Sequence, residues 1–387
     1  MSEKVYRYEP DVVSPPGVTL LETIEALGLS QSDLAERMGR PVKTINEIIS
    51  GKAAITSDTA LQLEMVLGVP ASFWRNRESH YREFLARDKE RSHLASDASL
   101  LKRVPEAAMV KAGWIEKARG PVERTRAVLR FFGVASAQAW EQVSVSQATL
   151  FGMPEAGLRA NHGNLTAWLR KGEVEGNRIE CSSFDSGLFR ETLRATHEFT
   201  KERPATYTPK LQNACAAAGV AVVLVPGLPL PDGKPGPSNK TKQTARRVVG
   251  ATRWLGPNKG LIQLNPMGLQ TEDDFWLAFL HQAGHLLLHG KRRGFLEGAS
   301  IFGGLGGGEA PEEDEANRFA FNLFVPPIEY RQLIAGFGEV GEGGAVAEEA
   351  ILRFAEKIGV APGIVVGRLE REGRLSAGGM DGLKKRL

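Results

Sequence analysis

Cysteine is nearly absent: Cys181 and Cys215 are the two thiols in 387 residues. Two are too few for a disulfide framework or a thiolate zinc site. A dominant charge sign is missing as well. Lys and Arg number 49 against 46 Asp and Glu, a net charge of +3. The chain as a whole is therefore not a polycationic coat for nucleic acid, and any DNA contact must come from a local patch. No apolar run is long enough to span a bilayer, and the opening MSEKVYRYEP lacks the apolar core of a signal peptide. No internal repeat is visible. These absences leave a soluble cytoplasmic protein, without membrane association, as the expectation. What is present is a hydrophobic fraction of 42%, ample for packed cores, in a chain of a length that predicts two or three domains.

The texture changes along the chain. Residues 1–95 carry short helical patterns broken by Gly and Pro, and are expected to form one helical domain. The charged stretch RDKERSHLASDASLLKR follows as a helical or flexible connector. A polar, mostly helical middle region spans 96–215. Beyond it, AVVLVP reads as a short buried strand, followed by the Pro/Gly-rich PGLPLPDGKPGPSNK. RRVVGATRWL and GLIQLNP read as two strands joined by a turn at GPNKG. A long helix, a Gly-rich loop and a second acidic-to-apolar helix complete an α+β domain over 216–340, and 341–387 is a helical tail.

Two short helices stand out in the first region. In LSQSDLAERMG, Ser30 is an N-cap with Asp33 three residues on, and Leu34, Ala35 and Met38 share a face. Gly39-Arg40-Pro41 turns the chain into VKTINEIISG, where Val42, Ile45, Ile48 and Ile49 recur at helical spacing and Gly51 ends the run. Two helices joined by a Gly-containing turn form the helix-turn-helix unit, whose second helix can enter the major groove. With Ile45 and Ile49 expected to face the core, Lys43, Thr44, Asn46 and Glu47 are left for base edges and phosphates. Gln31 and Lys52 flank the unit as phosphate contacts. The plainer alternative is a helical bundle that binds protein.

The segment PPGVTLLETIEALGLSQSDLAERMGRPVKTINEIISGKAAITSDTALQLEMVLGVPASFWRN resembles the HigA-type antitoxin and repressor branch of the lambda-repressor-like helix-turn-helix family. The resemblance implies a five-helix domain, a homodimer and a palindromic double-stranded operator. Pro41 and Val42 stand where such proteins often carry Ser and Arg, which leaves the base sequence read open.

The chemical signal lies in TEDDFWLAFLHQAGHLLLHG, residues 271–290. Thr271 with Asp274 makes a capping-box start, Gly290 marks the stop, and Phe275, Trp276, Ala278, Phe279 and Leu280 make the helix apolar on most sides. His281 and His285, four apart, stack on one face, where two imidazoles can share a tetrahedral zinc ion. In the HExxH arrangement the residue after the first His is a glutamate that takes a proton from water. Here it is Gln282, and a carboxamide cannot do so at neutral pH. The third ligand is expected from PEEDEANRFAFNLFVPP. Glu313 shares an inward face with Ala316, Asn317, Ala320 and Phe324, so it is preferred to Glu312 and Glu315.

ATRWLG, LIQLNP, FWLAFLHQAGHLLLHGK and EDEANRFAFNLFVPP together resemble the ImmA/IrrE family of zinc metallopeptidases, which cut helix-turn-helix repressors and have a zincin-like fold. The resemblance maps the family's HExxH and ExxA(N/D)xFA motifs onto His281, His285 and Glu313, and implies Zn2+ as cofactor. ILRFAEKIGVAPGIVVGRLEREG resembles the tail of the fused helix-turn-helix and peptidase subgroup. The implied function is a DNA-binding regulator with an endopeptidase domain acting on itself or on a partner repressor, inactive as written because of Gln282. A non-enzymatic repressor or antitoxin with a pseudo-peptidase sensor domain is the alternative. A damage sensor binding single-stranded DNA is a third, without the aromatic-basic stripe it would need.

Four further features carry a plain reading beside a sharper one. His289 is either an alternative ligand or a support behind the ligands, or else a dipole-complementing residue at the helix end, the plainer reading. Tyr330 either stabilises an oxyanion or packs on a helix end. GGLGGGE at 303–309 lacks the strand and Lys-Ser/Thr of a phosphate loop and reads as a connector. RRVVGATRWL is either an edge strand open to a peptide or an ordinary sheet strand.

Overall fold

The computed structural model describes residues 13–151, 155–228, 248–298, 311–337, 345–376 and 378–387. The Gly-rich run 303–309 and most of the Pro/Gly-rich segment after residue 228 lie outside the described residues. The chain divides into two compact units, Met1–Ala98 and Ser99–Leu387.

The first unit is helical: α1 Pro16–Ala26, α2 Gln31–Met38, α3 Val42–Ile49, α4 Ser57–Leu67 and α5 Ala71–Ser96. Local signals set the boundaries. The Ser30 hydroxyl accepts the Asp33 N–H at 3.1 Å, and the Asp33 carboxylate accepts the Ser30 N–H at 2.9 Å, closing both ends of a capping box. Gly39, at φ 62°, ends α2 in the left-handed region that glycine enters at no steric cost. Leu20, Ile24, Leu34, Ile45, Ile48, Leu63 and Trp74 meet in one buried cluster. The inward face of α3 is Ile45 and Ile48, with the half-buried Ile49 packed against the same cluster, so Ile48 joins the expected pair of Ile45 and Ile49. A Cβ on Gly17 would collide with the backbone of Ile48 and Ile49, so α1 crosses close against the end of α3. The charged stretch beyond residue 86 is helix rather than loop. α5 runs unbroken to Ser96 and ends in a 3-10 turn over Asp97–Lys102.

The second unit begins with α6 Glu106–Lys111, α7 Gly120–Phe132, α8 Ala137–Leu150, α9 Glu155–Arg178, α10 Ser186–Ala195 and α11 Pro204–Ala217. It continues with β1 Val220–Leu224, β2 Val248–Gly256, β3 Lys259–Leu264, α12 Glu272–Leu288 and β4 Phe295–Gly298. It ends with α13 Pro311–Phe324, α14 Pro327–Phe337, α15 Ala345–Ile358 and α16 Pro362–Arg371. The sheet order is β1-β3-β2-β4, with β1 parallel to β3 and the other pairs antiparallel. Strand alternation sends Val220, Val222, Ile262 and Leu264 to the α12 side, and Ala221, Val223, Ala251 and Leu261 to the α9 side with Trp168 and Leu169, while the register shift between Val248 and Gly250 places Val249 in the α12-side cluster. Gly172 and Gly176 let α9 approach the sheet, since a Cβ at either would strike Gln263 or Leu261. The helical region 96–215 is thus no free-standing layer: its α9 covers one face of the sheet. β2 lies between β3 and β4, so it is an inner strand, and the edge next to it is β4, which sequence periodicity does not announce.

Helix α12 is buried along most of its length, with Phe275, Trp276, Phe279 and Leu280 at 2% exposure or less. The expected capping box of Thr271 and Asp274 forms, with the Asp274 carboxylate accepting the Thr271 N–H at 3.2 Å. The end of the chain ties this helix down. Arg371 and Lys384 pair with the buried Asp273 at 3.5 and 3.3 Å, and the Glu272 N–H donates to the Lys385 carbonyl at 2.9 Å. Among the described residues no helix is long and apolar enough to cross a membrane.

Candidate functional site

The buried faces of α12 and α13 meet at a glycine. A Cβ on Gly284 would lie 3.1 Å from Phe319 Cδ1 and 3.2 Å from Ala316 Cα, so only glycine admits so close a crossing. That crossing carries Glu313, one turn before Ala316, up to the two histidines. His281 Nε2 and His285 Nε2 are 3.0 Å apart, and Glu313 Oε2 lies 3.1 Å from the first and 3.5 Å from the second. Ligands about 2.05 Å from a tetrahedral zinc stand about 3.3 Å from one another. The three atoms therefore already have the mutual spacing of a coordination shell, and His281, His285 and Glu313 form a group able to hold a metal ion.

The far sides of the two rings are occupied. His281 Nδ1 donates to Asn317 Oδ1 at 2.9 Å, which directs the Nε2 lone pair toward the cluster. His285 Nδ1 lies 3.0 Å from His289 Nδ1, and His289 Nε2 lies 3.3 Å from Glu315 Oε2. His289 and Glu315 thus hold a ligand ring from behind. Glu312 pairs instead with Arg293 at 2.8 Å. The His285 ring stacks on Phe295 of β4, with centroids 3.9 Å apart and planes 11° from parallel. Tyr330 donates to Glu372 Oε2 at 2.8 Å beneath the Arg368 guanidinium, so it packs the helix end.

Burial opposes charge on all three residues, and the partners decide the outcome. His285 is pushed down to about 4 by burial. His281 is also penalised by burial, yet Glu297, Glu313 and Asn317 outweigh this and hold it above its ordinary value. Burial works against the Glu313 carboxylate too, but hydrogen bonds with both histidines keep it well below the usual carboxylate range. A neutral His285 beside an ionised Glu313 is what a divalent cation needs, and its binding would displace a proton from the raised His281.

Gln282, between His281 and His285 on the same helix, is fully buried. Its Nε2 donates to Glu297 Oε2 at 3.1 Å, and its Oε1 is buried without a partner. Thr252 Oγ1 fixes the backbone here by donating to the Gln282 carbonyl at 3.2 Å. Glu297, Phe295 and Asn317 escape the sequence reading as site residues. Asn317 was legible as an inward residue on the Glu313 face. A lone glutamate in FLEG was the one signal for Glu297, and no spacing rule links position 297 to 282.

In the first unit, Lys43 and Asn46 are exposed on α3, with Thr44 and Glu47 half-exposed beside them. Lys43 Nζ lies 3.9 Å from Glu47 Oε1. Lys52 is exposed in the turn after α3, where its N–H and that of Ala53 donate to the Glu47 carbonyl. Gln31, half-buried, stands on a different element, at the first position of α2. The outward side of α3 is polar and free of bulk, apart from Val42 at 41% exposure.

The family described as Helix-turn-helix (HTH_3) matches residues 20–74. Virulence-associated protein I of Dichelobacter nodosus is 32% identical over 81 residues, covering 21% of this chain and 75% of that protein. The uncharacterized HTH-type transcriptional regulator YddM of Escherichia coli is 30% identical over 64 residues, 16% of this chain and 68% of its own. Two solved structures are similar as well. A putative antidote protein of a plasmid maintenance system from Nostoc punctiforme is 27% identical over 20% of this chain and 85% of its own, at a TM-score of 0.20. An addiction module antidote protein of a HigA family from Coxiella burnetii is 29% identical over 22% of this chain and 92% of its own, at a TM-score of 0.21.

Proposed function

The chain belongs, through its first unit, to the helix-turn-helix family, and from that premise we propose that it is a DNA-binding transcriptional regulator whose second unit holds zinc. DNA contact is assigned to α3, with Lys43, Thr44, Asn46 and Glu47 toward the groove and Gln31 and Lys52 toward phosphates. A homodimer on a two-fold operator fits a short recognition helix with few cations, since one copy neutralises few phosphates. The metal ligands in this reading are His281, His285 and Glu313, in a zincin-like unit related to the ImmA/IrrE metallopeptidases.

The observation that carries the second half is the convergence of His281 Nε2, His285 Nε2 and Glu313 Oε2 at 3.0, 3.1 and 3.5 Å. Asn317 and His289 orient the two rings from behind, an arrangement that serves metal ligands and costs an ordinary core two buried imidazoles. Zinc, when bound, supplies a Lewis acid that polarises a carbonyl. Gln282, standing where a peptidase has its proton-accepting glutamate, has no proton-accepting group for that chemistry.

Elemental analysis of the purified full chain tests the metal half: one zinc per chain, lost in His281→Ala and in Glu313→Ala, is the expected result. Zinc absent from the parent protein, or retained by both variants, would overturn it. Selection of binding sites from random duplex DNA tests the other half. A two-fold-symmetric site is expected, and an enrichment no different from that of a Lys43→Ala, Asn46→Ala variant would refute the assignment to α3.

A further inference from the structure

We propose that Glu297 is the proton acceptor of the candidate metal centre, filling from the edge strand the role that Gln282 cannot fill from the helix, and that the reaction it serves is amide hydrolysis. The inference rests on the zinc reading above. Phe295 and Glu297 are two apart on β4 and so point to the same side of the sheet. Phe295 lies on the His285 ring and Glu297 takes the hydrogen bond of Gln282, and these two helix residues are themselves three apart on one side of α12. The strand is thereby registered against the metal helix at two points. The carboxylate stands one hydrogen bond beyond the side chain that occupies the usual place of the base.

Space has been kept for it. A Cβ on Gly250 of β2 would lie 3.1 Å from Gln282 Cγ and 3.2 Å from Glu297 Oε2, so a side chain there would push into both. Glu297 is 2% exposed, takes a side-chain hydrogen bond from Gln282, and is acted on by the positive charges of His281 and Arg371. A carboxylate buried this deeply is costly as structure alone. A cation held by His281, His285 and Glu313 would add to that counter-charge. The Gln282 Oε1 atom is fully buried and accepts no hydrogen bond among the described residues.

The step balances with water as sole co-reactant. Water oxygen bonds to the amide carbonyl carbon while one water proton passes to a Glu297 carboxylate oxygen. The same proton then goes to the amide nitrogen as the C–N bond breaks, releasing a carboxylic acid and an amine. Nothing is oxidised or reduced.

Acetohydroxamic acid is the probe, because it binds zinc as its anion and hands its proton to a neighbouring carboxylate. Its affinity for the zinc-loaded full chain is measured by calorimetry, with zinc content determined on the same samples. Glu297→Gln is expected to keep its zinc and to bind the hydroxamate at least about tenfold more weakly, the effect of losing one charge-assisted hydrogen bond. The exchanged pair Gln282→Glu, Glu297→Gln keeps one carboxylate and one carboxamide in contact, and is expected to restore binding. Hydroxamate affinity unchanged in Glu297→Gln overturns the proposal. Where that variant does not fold, Glu297→Asp is measured instead, and a zinc-loaded Glu297→Asp chain with unchanged hydroxamate affinity overturns the proposal, because the shortened carboxylate no longer reaches the same proton. A parent chain that takes up no zinc removes the metal reading itself, a separate outcome seen before any hydroxamate is added.

Discussion

Replacing Gly284 by alanine should weaken zinc binding far more than it weakens the fold. The added Cβ would sit 3.1 Å from Phe319 Cδ1 and 3.2 Å from Ala316 Cα. Carbon atoms in ordinary contact keep about 3.5–4.0 Å, so each contact is short by about 0.3 Å or more. The Phe319 ring can swing aside, but Ala316 Cα is backbone, and α13 must back away by a similar distance. Glu313 is carried on the preceding turn and moves with it. Metal sites tolerate about 0.2 Å of ligand displacement, so the shift exceeds the tolerance, and an affinity loss of about 10–100-fold is expected. Overpacking of this kind costs about 1–3 kcal/mol. Alanine returns about 1 kcal/mol through its helix propensity. The net change is about 0–2 kcal/mol, and at about 2–4 °C per kcal/mol the metal-free melting temperature falls only modestly. Competition against a chromogenic chelator reads the affinity, and calorimetric melting of the metal-free chain reads the stability. Zinc affinity within about threefold of the parent would refute the claim that close helix crossing at Gly284 sets the Glu313 position, given that threefold is well under the loss from one displaced ligand.

Three other expectations concern different parts of the chain. Lys43→Ala should weaken binding to the selected operator and reduce the slope of log affinity against log salt by about one phosphate contact per protomer, read by fluorescence anisotropy at several salt concentrations; an unchanged slope would mean that Lys43 touches no phosphate. Trp74 has no exposed surface at the centre of the first unit, so Trp74→Ala should destabilise that unit by about 3–5 kcal/mol in denaturant unfolding. The metal-free second unit should lose stability as pH falls from 6.5 toward 4: His285, held down to about 4 by burial, stays neutral in the folded chain while the unfolded chain takes up the proton. The lowered Glu313 acts in the same direction below the ordinary carboxylate range, whereas the raised His281 contributes in the opposite sense, its stabilisation fading as pH rises. His285→Gln should therefore flatten the melting temperature between those limits, and an unaltered profile would exclude His285 as its source.

Much of this could be read in one dimension, because the relevant physics is local. Ser30 with Asp33 caps α2 through atoms three residues apart, and Gly39 ends it by its own φ preference. His281 and His285 share a helix face by the 3.6-residue turn, and the apolar run around them announces a buried helix. Glu313 was separable from Glu312 and Glu315 by the company it keeps at positions 316, 317, 320 and 324. Tertiary structure decided what depends on distant segments meeting. The close approach of α1 to the end of α3 depends on Gly17 lying against the backbone of Ile48 and Ile49. The inner place of β2 comes from a short strand, β4, that pairs with it across the whole length of α12. The approach of Glu313 to the histidines depends on Gly284 meeting Ala316, and the neighbour of Gln282 proved to be Glu297, fifteen residues away on another element. Periodicity reports which side of an element is buried, since burial follows from that element's own geometry. It carries no term for what lies opposite, and here that is where the site's remaining carboxylate was found.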